Sequence, residues 1–339
     1  MLNKAIIDLG AIKSNAVKVK QKLKKGVKFN AVVKADGYGH GAEMVARALY
    51  KLADSFSVAL LEEAVSLRLS GIDKEILCLI PFDESETDRA IYYGITATVS
   101  NFEHIKALSA SAKRLRKNAY VHVKFNTGMN RQGVDSLEKL EELIKFCHQF
   151  KEIKVSGLYS HFAKPENKNA LKYQLDKFLL ANKLIKGYNN NVTCHISASG
   201  GFLSGVQLDM VRIGILLYGY KPFESSLIQV NPAMQVFAPI VEKRRLKVGE
   251  HALYGDKRAE RETQFNLVRY GYADGLFRKE IDGQFNNRCM DLSAMCDERV
   301  TEFGYPVMTN ADVLAKRYDT ISYEILTKAS LRAEKIYLN

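Results

Sequence analysis

Eight short β-rich runs recur through the first two thirds of the chain: Lys28 to Ala35, Ser55 to Leu60, Glu75 to Ile80, Thr96 to Ser100, Ala119 to Asn126, Lys154 to His161, Val192 to Ser199 and Leu208 to Gly214. Most gaps between them carry a helical period, as in Glu62 to Leu69 and Leu137 to Phe150. Repeated strand–helix units force neighbouring strands parallel, and eight of them predict a closed (β/α)8 TIM-type barrel. From about Ser225 the texture changes to strand-like runs without intervening helices, at Met234 to Val241, Phe265 to Tyr272 and Thr320 to Leu326. The expected organisation is therefore a barrel over residues 11–224 and a C-terminal mainly-β domain over 225–339. An N-terminal strand within residues 1–10, Ala5 to Leu9, precedes the barrel count and is expected to join the β domain.

Length and composition agree with a large folded protein. The chain has 339 residues, 47% of them apolar, enough for two domains or a barrel with an appendage. It has no apolar run of about eighteen residues, and Met1-Leu2-Asn3-Lys4 leads directly into Ala5-Ile6-Ile7 without the pattern of an export signal. We expect a cytoplasmic protein that does not cross a membrane. Cys78, Cys147, Cys194, Cys289 and Cys296 are odd in number, scattered, and contain no C-x-x-C pair, so neither a disulfide framework nor a zinc site is suggested. The formal charge of +12 could attract nucleic acid, but its densest clusters, Lys22 to Lys25 and Lys113 to Lys117, read as solvated helix ends with no base-reading motif. It favours small anionic molecules.

The chemistry-bearing residues fall where a barrel places its active site, at the C-terminal ends of the strands. Lys34 closes the first run and opens a turn punctuated by Gly37, Gly39 and Gly41, with Tyr38 and His40 between them. A lysine there is either paired, with Asp36 as the near carboxylate, or used as an amine. Arg131 follows the fifth strand, His161 ends the sixth, Ser199-Gly200-Gly201 follows the seventh, and Arg212-Ile213-Gly214 ends the eighth. Taken singly, His161 reads as a core histidine, Ser199 as a helix cap and Arg212 as an ion-pair partner. Taken together, an amine, a phosphate nest and a group to face a pyridine nitrogen are the parts that pyridoxal 5′-phosphate requires.

A resemblance then becomes specific. Val33-Lys34-Ala35-Asp36-Gly37-Tyr38-Gly39-His40-Gly41 resembles the cofactor-lysine motif of the alanine racemases. Lys124-Phe125-Asn126-Thr127-Gly128-Met129-Asn130-Arg131, Ser160-His161-Phe162-Ala163 and Val211-Arg212-Ile213-Gly214 follow in that family's order. So do Leu253-Tyr254-Gly255, Gly271 to Gly275, Arg288-Cys289-Met290-Asp291 and Thr320 to Glu324.

The resemblance implies an isomerase that interconverts L- and D-alanine with two bases, Lys34 on one face of the substrate and Tyr254 on the other. It implies that Lys34 anchors the cofactor and that Tyr38, Ser199, Gly214, Ile215 and Tyr323 hold its phosphate. Arg212 would face the pyridine nitrogen, and His161, linked to Arg212, would support Tyr254. Arg131 and Met290 would hold the substrate carboxylate, and Lys124 would be carbamylated. A head-to-tail homodimer is implied, each second domain completing its partner's barrel, with D-alanine destined for peptidoglycan.

The chain departs from the pattern at Asn126, where an aspartate is usual, at Ser197-Ala198-Ser199, and in a shortened second domain around Arg278 to Arg288 and Asp297 to Asp312. Those shortenings bear on the corridor residues Tyr272 and Arg278. A broad-specificity racemase acting on serine or lysine is the nearest alternative. A fold-related decarboxylase would need a triple-glycine loop, whereas only Gly200-Gly201 is present. A non-catalytic pyridoxal-phosphate-binding protein would need neither Tyr254 nor a second domain.

Overall fold

The structure, a computed structural model, describes residues 2–254, 258–278, 288–296 and 299–339. Its strands are β1 (Asn3–Asp8), β2 (Lys28–Val32), β3 (Ser55–Val58), β4 (Ile76–Cys78), β5 (Ala97–Val99), β6 (Ala119–Lys124), β7 (Ile153–Tyr159), β8 (Thr193–His195) and β9 (Met210–Ile213). The later ones are β10 (Met234–Ala238), β11 (Ile240–Leu246), β12 (Thr263–Val268), β13 (Ser293–Met295), β14 (Tyr305–Met308) and β15 (Ala333–Leu338). The chain divides into two compact units, one of Lys13–Gly37 and Ala42–Val230, the other of Met1–Ile12, Tyr38–Gly41 and Asn231–Asn339.

The first unit is the eight-stranded barrel. Strands pair in parallel as β4-β3-β2-β9 and as β5-β6-β7-β8. Two bridges close these arcs into a ring. Leu77 pairs with Thr96 between β4 and β5, and Ala198 with Arg212 beside β8 and β9. Cys78 N–H donates to Thr96 O at 3.0 Å and Arg212 N–H to Ser197 O at 3.0 Å, so the ladder is continuous around the barrel. All eight runs read from the sequence supply barrel strands, with alternating helices such as Leu61–Leu69 and Lys168–Tyr188 between them. The helix Leu137–Cys147 buries Leu140, Leu143, Ile144 and Cys147, the i, i+3, i+4, i+7 stripe that a helix must turn to a sheet. No helix among the described residues is long and apolar enough to cross a membrane.

The second unit holds two sheets, β14-β10-β1-β15 and β11-β12-β13. Strand β1 runs antiparallel to β10 and parallel to β15. One expectation fails here. Thr320 to Leu326 reads as a strand, but Ser322–Ala329 is a helix, preceded by another at Ala311–Tyr318. The buried residues Ser322, Ile325, Leu326 and Ala329 follow a helical period that the β-branched composition masks. Asn310 caps the first helix by accepting from Asp312 N–H at 2.8 Å, and Lys328 pairs with Glu324 one turn earlier in the second at 2.6 Å.

Candidate active site

The first barrel strand also ends sooner than its composition suggests. β2 stops at Val32, and Lys34 opens a left-handed turn: Ala35, Asp36, Gly37 and Tyr38 have φ of 52°, 52°, 61° and 53°. Left-handed backbone costs on the order of 1–2 kcal/mol per non-glycine residue, so three such residues within a four-residue turn, Ala35, Asp36 and Tyr38, persist only where their surroundings impose them. Glu63 ties the turn to the segment that follows β3. Its carboxylate accepts from the amides of Ala35, Ala59 and Leu60. Asp36 accepts from Ala42 N–H at 2.9 Å, closing the far side of the turn. The carboxylate acting on the Lys34 amine is thus Glu63, where the sequence pointed to Asp36.

Lys34 sits half-buried, and burial lowers its amine from the ordinary lysine range, reinforced by the charges of Arg131 and Arg212 and opposed by Glu63. Lys124, at the end of β6, is 4% exposed and is held well below that range by burial and by the same two arginines. Its Nζ lies 3.8 Å from the centre of the Tyr159 ring. A rim carrying Lys34, Lys124, Arg131 and Arg212 is built for an anionic guest.

Arg212 on β9 is buried and satisfied almost entirely by the barrel. It donates to Ser160 O at 2.7 Å, Ile196 O at 3.2 Å and His195 O at 3.3 Å, and to the Nδ1 atoms of His195 and His161. Burial lowers its guanidinium to about 10, which leaves it charged at neutral pH. Because a guanidinium can only donate, His161 Nδ1 must accept. Burial and then Arg212 hold His161 well below the usual imidazole range, so it is neutral with its proton on Nε2.

Ser199 opens a short helix after β8, and its hydroxyl accepts from Gly214 N–H at 3.2 Å. The amides of Gly214 and Ile215 follow β9 directly. Gly200 and Gly201 leave no room for side chains, since a Cβ would meet Pro165 at one and Ser197 and Phe162 at the other. Lys34, Lys124, Arg131, His161, Ser199, Arg212, Gly214 and Ile215 therefore share one rim of the barrel.

The remaining residues singled out from the sequence belong to the second unit. Tyr38 and Tyr323 meet there with ring centres 5.8 Å apart, and burial raises Tyr323 to about 12. Tyr254 and Met290 are exposed, Tyr254 to 79%. Gly271 lets its backbone pass against Cys289 O and Met290 O, where a Cβ would collide, and Ala273 N–H donates to Met290 O at 2.9 Å. Tyr272 and Arg278 are exposed as well. Gly255 and most of the shortened stretch between Arg278 and Arg288 lie outside the described residues.

Sequence reasoning passed over Glu63, Tyr159, His122 and His195. Glu63 reads as one more charge on a helix, and the other three read as alternating residues of strands; only their tertiary partners distinguish them.

The cationic rim, the Ser199–Gly214 pair and the neutral histidine suit pyridoxal 5′-phosphate, which brings a phosphate to be neutralised and an aldehyde that needs an amine. The comparisons point the same way. The family profile described as alanine racemase, N-terminal domain, matches residues 7–222, and that for the C-terminal domain matches residues 233–337. The chain is 32% identical to the alanine racemase of Clostridium novyi (strain NT), over 98% of this chain and 95% of that one. It is equally similar to that of Streptococcus pyogenes serotype M2, over 98% and 97%. Among solved structures, the alanine racemase of Clostridium difficile 630 superposes with a TM-score of 0.92 at 28% identity, covering 100% of this chain and 96% of that one. The Bacillus anthracis alanine racemase with bound L-Ala-P gives 0.90 at 25%, covering 99% and 95%. A likeness that runs through both units, including every strand that carries the rim, leaves one conclusion: the chain belongs to the alanine racemase family.

Proposed function

We propose that this chain racemises alanine with Lys34 and Tyr254 as opposed bases. The family is pyridoxal-phosphate-dependent and isomerises alanine. The observation that carries the assignment here is Lys34, a half-buried amine with a lowered pKa, held by a strained turn on a cationic rim.

Pyridoxal phosphate, when bound, spreads the electron pair left at the substrate Cα; all proton handling falls to side chains. In the D-to-L direction Lys34 Nζ takes the Cα proton from one face and Tyr254 Oη delivers its own to the other. Lys34 ends protonated and Tyr254 ionised, so the L-to-D direction runs from that state and restores the first. The phenolate left on Tyr254 after it gives up its proton needs a hydrogen-bond donor to stabilise its charge. His161, neutral with its proton on Nε2, supplies a hydrogen bond rather than a charge. Ser199, the amides of Gly214 and Ile215, Tyr38 and Tyr323 hold the phosphate, Arg212 faces the pyridine nitrogen, and Arg131 and Met290 hold the substrate carboxylate.

Lys124 is proposed to be carbamylated. An ammonium that is almost fully buried beside two arginines is unfavourable, whereas a carbamate turns the same position into their counter-ion. Growth or equilibration in ¹³C-bicarbonate is expected to give a protein-bound carbamate signal that Lys124→Ala lacks; a spectrum without it rules the modification out.

Tyr254 and Met290 are exposed on the chain by itself, which suits a homodimer arranged head to tail, each second unit closing its partner's rim. The proposed setting is the cytoplasm, and the proposed product use is D-alanine for peptidoglycan. The test of the reading is a racemisation assay across alanine, serine and lysine with solvent deuterium uptake at Cα. Alanine is expected to turn over fastest, with label entering during inversion. Rates for serine or lysine above that for alanine would favour the broad-specificity alternative.

A further inference from the structure

Behind Arg212 a line of polar groups runs down the barrel interior. Arg212 Nη1 donates to His195 Nδ1; His195 Nε2 lies 3.0 Å from His122 Nδ1; His122 Nε2 lies 3.3 Å from Glu75 Oε1. His195 is 0% and His122 2% exposed, while Glu75 immediately precedes β4 and its side chain is 42% exposed. The line therefore links the C-terminal rim, where Lys34 sits, to the N-terminal rim.

Its polarity follows from donor inventory. Arg212 can only donate, so His195 Nδ1 accepts and a neutral His195 carries its proton on Nε2. That proton points at His122 Nδ1, which must then accept, leaving His122 with its proton on Nε2 aimed at the Glu75 carboxylate. Every group donates in one direction, from the guanidinium to the carboxylate. Burial, with Arg212 next in weight, lowers His195 far enough to keep it neutral. Glu75 is lowered as well: desolvation is the largest single influence and would raise it, but the interactions with His122, the hydrogen bond with Thr96 and the charge of Lys28 together outweigh it.

The surroundings are shaped for this line. Gly157 on β7 has no Cβ, and one placed there would run into the His122 ring. The β6–β7 register shifts between Val121 and His122. Tyr159 stacks on His195 at 5.1 Å and 7°, and its own hydroxyl is held by Thr98 at 2.7 Å. His195 thus has little freedom to turn.

We propose that Glu75, His122 and His195 form a one-way hydrogen-bond relay through the barrel that anchors Arg212 and delivers a carboxylate's influence to it from the opposite rim. These are positioning residues acting through Arg212, and the proposal rests on the racemase reading only for its effect on turnover. Its first readout is independent of turnover: which ring nitrogen of each histidine carries the proton.

The test is ¹⁵N NMR of histidine-labelled holoenzyme at neutral pH, with seven histidines to assign, together with alanine kinetics of Glu75→Ala and Glu75→Gln. In the wild type, His122 and His195 are expected to be Nε2-protonated. Glu75→Ala should let His122 populate the other tautomer and lower kcat about tenfold, with KM changed less than about twofold, as for loss of one hydrogen bond to a charged group. Glu75→Gln, whose amide oxygen still accepts, should restore both the tautomer and kcat to within about twofold of wild type. A proton on Nδ1 of either ring in the wild type overturns the relay. So does a Glu75→Ala enzyme as active as Glu75→Gln, or one that loses activity with His122 unchanged. A wild-type chain that racemises nothing would instead sink the racemase reading and leave the tautomer result standing.

Discussion

Lys34→Ala is expected to lower alanine racemisation by about 10⁴-fold or more, because one substitution removes both the proposed cofactor anchor and one of the two proposed bases. The size of the effect follows from how little else could replace it. Lys124 is the other lysine buried on this rim, but its side chain is sealed against Tyr159. The turn holding Lys34 is tied by Ala35 N–H to Glu63 and by Asp36 to Ala42 N–H rather than by the Lys34 side chain, so the variant should fold. Circular dichroism and the urea midpoint should stay close to wild type. Borohydride reduction of the wild-type holoenzyme, followed by mass spectrometry, should find the cofactor on the peptide carrying Lys34; label on a different lysine would remove the assignment.

Tyr254→Phe should lower racemisation by about 10²–10⁴-fold, the range of a single general acid–base group. Because racemisation of a free enantiomer pair has no preferred direction, both directions must slow together, and the discriminating readout is isotopic. In D₂O the variant should still exchange the Cα proton of D-alanine through Lys34 while producing little L-alanine. Fast exchange from L-alanine instead would reverse the two faces. Mixing the variants tests the dimer as well. In a Lys34→Ala/Tyr254→Phe heterodimer, one site combines both defects and the other combines neither, so statistical exchange should restore about a quarter of wild-type activity. If each chain used its own Tyr254, mixing two inactive proteins would restore nothing.

The barrel was legible in the sequence because its signal is repetitive. Eight apolar runs at strand length, separated by helical periods, leave few topologies open, and the local chemistry of each unit is consistent with the whole. Thr320 to Leu326 reads as a strand for a related reason. A short window containing Ile321, Tyr323 and Ile325 satisfies β composition, while its helical spacing shows only when Ala329 is included. The turn at Lys34 lay beyond local reading, since Ala35 has no intrinsic preference for left-handed backbone, and the bonds that hold the turn, Ala35 N–H to Glu63 and Ala42 N–H to Asp36, form only in the folded chain.

The sequence by itself determined which residue types stand at the ends of which strands: Lys34, Lys124, His161, Ser199 and Arg212, at positions that parallel strands must bring to one rim. That information is local, because strand period and βα order are written residue by residue. Only the tertiary structure decided their states. Glu63 rather than Asp36 supplies the negative charge that opposes the lowering of the Lys34 amine, Arg212 forces His161 to accept and so fixes its proton, and Glu75 reaches Arg212 through His122 and His195. Protonation and tautomer depend on burial and on partners far apart in sequence, quantities that exist only once the barrel has closed.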